Sequence, residues 1–165
     1  MNYEYFMGKV LILAEKALSK GEFPVGCVMV YENKIVASGS RIHSKGSVIN
    51  ETDHAEIIAL QQLCRIRNIE KNKVSVFCNL EPCLMCYAAL ILSGIGEIVY
   101  AYEDMMGGGT SCDLSKLNPL YKNAKVSLTP NILRNKSITL FKTYFSDPET
   151  NYLQNTLLER VTLSQ

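Results

Sequence analysis

His54-Ala55-Glu56-Ile57, followed after a gap by Asn79-Leu80-Glu81-Pro82-Cys83-Leu84-Met85-Cys86, governs how the rest of this chain reads. His54, Cys83 and Cys86 are three good zinc ligands, and Glu56 is a carboxylate left over. A closed structural zinc site takes four protein ligands, whereas a catalytic one keeps a position for water. Three ligands with a spare acid point to hydrolysis by an activated water. Cys83 and Cys86 stand three apart at a predicted helix start, so both sulfurs can face one side. The electropositive helix N-terminus favours thiolate over thiol.

Each part has a plainer alternative. A lone C-x-x-C can be a redox dithiol. Asp53-His54-Ala55-Glu56 has the form of a capping box, in which Glu56 would only satisfy a backbone N–H. A non-catalytic, zinc-stabilised interaction module would need a fourth protein ligand, with His43, Cys78 or Cys112 as candidates. The conjunction of both segments favours catalytic zinc, one ion per chain.

Outward from these segments, the chain alternates helix and strand. Residues 1–19 form an amphipathic pattern ending at Ser19-Lys20-Gly21, where Gly21 suits a left-handed cap. Residues 25–31 and 35–38, joined by Glu32-Asn33-Lys34, read as a hairpin. Residues 41–53 lack periodicity and form a long loop. Helical spacing returns at Ile57, Leu60 and Cys64. Val74-Ser75-Val76-Phe77-Cys78 is a buried strand, and Pro82 is expected to open the next helix, which Ser93-Gly94 closes. Residues 97–102 are a further strand. Residues 104–113 form a glycine-rich loop, read as a flexible flap beside the pocket. A short helix over 114–121, a strand at 126–128 and helices over 131–145 and 148–161 complete the chain. This order gives an α/β fold with helices covering a mixed sheet, and the link after Tyr102 suits a right-handed parallel crossover.

The composition is compatible with one domain spanning 1–165, since 47% of the 165 residues are hydrophobic. The opening segment carries Glu4, Lys9, Glu15 and Lys16, unlike a signal peptide. No uncharged stretch reaches the roughly 18 residues of a membrane span. A cytoplasmic protein without membrane contact is the expectation, which makes disulfides among the six cysteines an unfavoured reading. Cys27, Cys64 and Cys78 lie in apolar runs and read as buried small hydrophobes. The net charge of +1 argues neither for nor against a nucleic-acid partner: Arg65, Arg67, Lys71 and Lys73 cluster, as do Lys122 and Lys125, but acids are interspersed, as on a solvated mixed surface.

The chain resembles the cytidine deaminase-like superfamily, on Pro24-Val25-Gly26-Cys27-Val28, the His54-Ala55-Glu56 and Pro82-Cys83-x-x-Cys86 segments, Gly96-Glu97-Ile98-Val99-Tyr100 and the loop at Asp104. It is most similar to the branch of tRNA adenosine deaminases and guanine deaminases, over about residues 5–145. The resemblance implies a three-layer α-β-α sandwich with a five-stranded mixed sheet, and a homodimer whose last strands run parallel. It implies that His54, Cys83 and Cys86 hold zinc, that Glu56 shuttles protons, and that the exocyclic amine of a nucleobase leaves as ammonia. Substrate contacts are expected from Pro24, Val25, Gly26, Arg41, Ala55, Glu81, Pro82 and Asp104.

Two stretches depart from that branch. Gly39-Ser40-Arg41-Ile42-His43 has no asparagine where the tRNA enzymes place one against the base, so Arg41 or Ser40 occupies that ground. Met105-Met106-Gly107-Gly108-Gly109-Thr110 replaces a loop that contains lysine and alanine. Both direct the first expectation to a small base, nucleoside or nucleotide, with tRNA adenosine-to-inosine deamination as the alternative.

Overall fold

A computed structural model describes residues 1–165. Helix α1 (Tyr3–Leu18) starts where the Asn2 side chain accepts the Tyr5 N–H and ends ahead of Gly21, whose φ is +73°. The hairpin β1 (Gly26–Tyr31) and β2 (Lys34–Ser40) follows, turning through Glu32 and Asn33, both with positive φ. Then come α2 (Ala55–Leu63), β3 (Ser75–Leu80), α3 (Leu84–Leu92) and β4 (Glu97–Tyr102). Helix α4 (Pro119–Lys122), β5 (Ser127–Thr129), α5 (Arg134–Phe145) and α6 (Leu157–Leu163) complete the chain.

The five strands form one open sheet in the order β2-β1-β3-β4-β5. β1 pairs antiparallel with β2 and β3, while β3–β4 and β4–β5 are parallel. The central strands β1 and β3 are buried on both faces, which explains their unbroken apolar runs. On one face Val28, Val30, Phe77, Val99 and Ala101 pack under Phe6, Met7 and Val10 of α1. On the other, Cys27, Met29, Val76, Cys78 and Ile98 meet Ala59, Leu60 and Leu63 of α2 and Tyr87, Leu90 and Ile91 of α3. Helix α5 packs beside α1 and against β4. The three-layer α-β-α arrangement is therefore the one expected. No helix is long and apolar enough to cross a membrane.

Several boundaries differ from those the sequence predicts. Helix α3 begins at Leu84, with Cys83 in the capping position, so Pro82 lies outside the helix it was expected to open. The predicted helix at 114–121 is split into a 3-10 turn at Leu114–Lys116 and α4, because Leu117 and Asn118 are extended ahead of Pro119. Helix α5 starts only at Arg134, since Asn131 and Leu133 take left-handed conformations.

The largest correction concerns the C-terminus, where residues 148–156 are turns and only Leu157–Leu163 is helical. Leu153 and Asn155 have φ of +59° and +61°, which no helix tolerates. A variant of the capping box is here instead: Thr156 Oγ1 accepts the Glu159 N–H, and Glu159 reaches back to the N–H of Asn155, one residue before the cap. Cys64, expected in the core, is exposed at the C-terminal end of α2.

Gly39 sets the position of α2 against the sheet. A Cβ there would lie 2.2 Å from the Ala55 carbonyl oxygen, so only glycine lets the start of this helix rest on β2. That contact carries His54 and Glu56 to the ends of the central strands.

Candidate metal centre

Two helix starts meet at the carboxyl ends of β3 and β4. His54 holds the capping position of α2 with extended backbone, and Cys83 holds the same position of α3. Cys86 lies in the first turn of α3 and is buried. His54 Nδ1 is 3.5 Å from both Cys83 Sγ and Cys86 Sγ, and the three ligand atoms lie within 4.8 Å of one another. No other His, Cys or carboxylate joins this group. His43 is turned to Asp53 at 2.6 Å, Cys78 faces Cys27 at 3.8 Å, and Cys112 packs at the edge of the core. None of the three fourth-ligand candidates is in place, so the closed structural site has no support.

The charges of the group suit a soft dication. The hydrogen bond from Cys86 and, after it, the one from His54 push the Cys83 thiol down to about 4 against the opposing effect of burial. The same contact with Cys83, together with burial, pushes Cys86 up. The Cys83 contact also raises His54, although burial opposes it.

Glu56 is not a capping residue. Because His54 caps α2, Glu56 stands one position too early for a capping box, and Asp53 is engaged with His43 and Asn50. The Glu56 side chain is buried, its Oε2 has no hydrogen-bond partner, and burial pushes its carboxyl up to about 6. A buried, unpartnered carboxylate oxygen beside two sulfurs and an imidazole is what a metal-bound water would satisfy. The donor set His-Cys-Cys with one free acid therefore fits catalytic zinc.

A cleft opens over this group. Of the expected substrate contacts, Val25, Arg41, Ala55, Glu81 and Asp104 line it along with His54, Glu56 and Cys83. Pro24, Gly26 and Pro82 do not. Asn79 takes up two of them from behind, donating to the Pro24 carbonyl and accepting the Gly26 N–H, each at 2.8 Å. The Pro82 carbonyl accepts the Gly109 N–H at 2.9 Å.

Glu81 lines the cleft but its oxygens are engaged. They accept the N–H groups of Asp104 at 3.1 Å and Thr110 at 3.2 Å, and the Thr110 hydroxyl. Asp104 in turn accepts from Met106 and Gly107 N–H groups. The glycine-rich loop is pinned to the motif by these bonds and by the Gly108–Cys83 bridge, which replaces the expected free flap with a tethered one.

Four further lining residues escaped the sequence reading: Phe23, Leu80, Tyr152 and Leu153. Leu80 was legible from its place just ahead of Glu81-Pro82-Cys83. Tyr152 and Leu153 were not, since they come from the C-terminal turns that had been expected as helix.

The model of the cytidine and deoxycytidylate deaminase zinc-binding region matches residues 1–102. The chain belongs to this family. The deaminase is 32% identical over 155 residues to the tRNA-specific adenosine deaminase 2 of Danio rerio, covering 88% of this chain and 72% of the relative. A solved structure from work on A-to-I editing by tRNA:A34 deaminases is 25% identical, with a TM-score of 0.71 over 82% of this chain and 98% of that one. The guanine deaminase of Nitrosomonas europaea shares the fold, at 21% identity and a TM-score of 0.66 over 86% of this chain and 83% of that one. The protein is a zinc-dependent deaminase of the hydrolase class.

Proposed function

We propose that this deaminase converts adenosine in tRNA to inosine, with His54, Cys83 and Cys86 as the zinc ligands and Glu56 as the proton carrier. The observation that carries the reading is the 32% identity to a tRNA-specific adenosine deaminase across 88% of the chain. The parallel β4–β5 pairing agrees with the expectation for that branch.

The chemistry follows from the residues around the cleft. Bound zinc supplies a Lewis acid that brings the ionisation of water close to neutral pH. Glu56, buried and with one oxygen free, takes the proton of the attacking water. It delivers that proton to a ring nitrogen of the base. The new C–O bond forms at the amino-bearing carbon, the remaining proton of the added hydroxyl passes through Glu56 to the amine, and the oxygen becomes a carbonyl as the C–N bond breaks and ammonia leaves. Val25, Ala55 and Leu80 give the cleft apolar walls that exclude other water.

A free base or nucleoside is the second reading. It is favoured by buried Arg41, which stands beside the cleft with Tyr152 and Glu51 and narrows its approach. Incubating the zinc-loaded protein with an adenosine-containing anticodon stem-loop and, separately, with free adenosine, guanine and cytosine compounds distinguishes the two. Inosine in the RNA, with binding that weakens steeply as salt rises, is the expected result. Turnover of free compounds with none in the RNA overturns the tRNA reading.

We further assign a second copy of the chain to the exposed apolar side chains Leu84, Met85 and Leu92 of α3. Light scattering should give the mass of a dimer; a monomer at assay concentration removes this assignment.

A further inference from the structure

The cleft has one wall that the family motifs do not supply. Tyr152 and Leu153 enter it from the C-terminal turns, about a hundred residues from the loop they meet. The Tyr152 hydroxyl donates to Glu51 Oε2 at 2.8 Å. The same carboxylate oxygen accepts from Arg41 Nη2 at 3.3 Å, and Arg41 Nη1 donates to the Asn50 carbonyl at 2.7 Å. The Arg41 guanidinium lies 5.4 Å from the centre of the Tyr152 ring, and Phe23 meets that ring edge-on at 5.4 Å. Arg41 is 2% exposed, and its Nε is a buried donor with no partner.

This wall is anchored at both ends. Before it, the Thr150 hydroxyl donates to the Tyr144 carbonyl at 2.8 Å. After it, Leu158 is fully buried and the Thr162 and Tyr102 hydroxyls meet at 3.0 Å. Between the anchors the left-handed turn at Leu153 aims both side chains at the cleft. The Tyr152 ring thus lines the cleft with the Arg41 guanidinium over it, and its hydrogen bond to Glu51 fixes only the hydroxyl end. A planar heterocycle is the ligand that suits a wall of aromatic ring and guanidinium, by stacking on it.

We propose that Tyr152 is a specificity-determining residue of this deaminase: its ring is the surface against which the substrate base lies, held in orientation by Glu51 and Arg41. The proposal rests on the nucleobase deaminase reading of the same cleft. Apolar substrates of equal size without a π-face would gain nothing from this wall.

The test uses the zinc-loaded full chain and whichever base-containing substrate the wild type deaminates. Tyr152→Ala and Tyr152→Leu should raise KM by roughly 5- to 150-fold, the span of a base–aromatic contact, with kcat and zinc content kept. Tyr152→Phe keeps the ring and loses only the bond to Glu51, so its KM should rise by a few-fold at most. In parallel, 2-aminopurine riboside should lose fluorescence on binding the wild type and Tyr152→Phe, and keep it with Tyr152→Leu. Unchanged KM in both ring-deleting variants, or equal quenching in all proteins, overturns the inference. If Tyr152→Ala does not fold, the Leu and Phe variants decide the matter. Failure of the wild type to deaminate any base would instead refute the proposed function, a separate outcome.

Discussion

The Glu22 carboxylate accepts two hydrogen bonds from Ser44, from its N–H at 2.7 Å and its hydroxyl at 2.6 Å, and both residues are buried. The Ser44 hydroxyl oxygen also accepts the Phe23 N–H at 2.8 Å. This node ties the long loop of residues 41–53 to the turn after α1, and so holds Arg41 and Glu51 over the cleft. Burial alone would raise the Glu22 carboxyl, yet the bonds from Ser44 outweigh it and hold the pKa below its ordinary 4.5. A depressed carboxylate contributes stability that is present above pH 4.5 and is lost as pH falls through the folded-state value. The stability difference between wild type and Glu22→Gln, read from urea midpoints, should be full near neutral pH and shrink below pH 4.5. A difference that does not change with pH would show that Glu22 is not held as a carboxylate. Ser44→Ala should cost about 1–3 kcal/mol at neutral pH, because it strips a buried charge of a donor.

Glu56→Gln should lower turnover by about 10²- to 10⁴-fold, the usual worth of a positioned proton carrier. Zinc content, measured by elemental mass spectrometry, should stay at the wild-type level, since Glu56 is not in the ligand group. Loss of zinc in this variant would assign Glu56 to the metal rather than to the proton.

His54→Ala and Cys83→Ser should each lose zinc and all ammonia release. Chelation of the wild type should do the same and also lower Tm by several degrees or more, because metal affinity is stored in the folded state. A Tm unchanged by complete zinc removal would show that the two helix starts are held by packing alone.

Gly108→Ala tests the tether of the glycine-rich loop. A Cβ at 108 would lie 2.4 Å from a Glu81 carboxylate oxygen and 2.7 Å from the Asp104 carbonyl oxygen. The substitution should cost about 1–3 kcal/mol in urea unfolding, as other overpacked sites do. At Gly107 the nearest atom is a movable Asp104 side-chain oxygen at 3.0 Å, so Gly107→Ala should cost less. Equal costs would mean that the loop can lift away from Glu81.

Much of the fold was legible because it is written locally. The continuous apolar runs of β1 and β3 announced strands buried on both faces, and Gly21 and Gly94, both with positive φ, ended their helices where expected. The errors cluster where one residue's backbone overrides a pattern. Leu153 and Asn155 turn left-handed inside a stretch of good helical composition, and nothing in their neighbours' periodicity signals it. Cys64 looked apolar in sequence but falls on the exposed end of its helix.

The grouping of His54, Cys83 and Cys86 was readable from the chain alone, because ligand type, ligand spacing and helix starts are short-range properties. His54, Glu56, Cys83 and Cys86 each offer the site an atom that the residue type supplies. What surrounds the substrate depended on contacts between distant segments. Folding spent Glu81 on the loop at 104–110, withdrew Pro24 and Gly26 behind Asn79, and freed Glu56 from the capping role its spacing allowed. It also brought Tyr152 across to Glu51, a pairing that no local pattern encodes because hydrogen bonds and packing between remote segments are set only when the layers close.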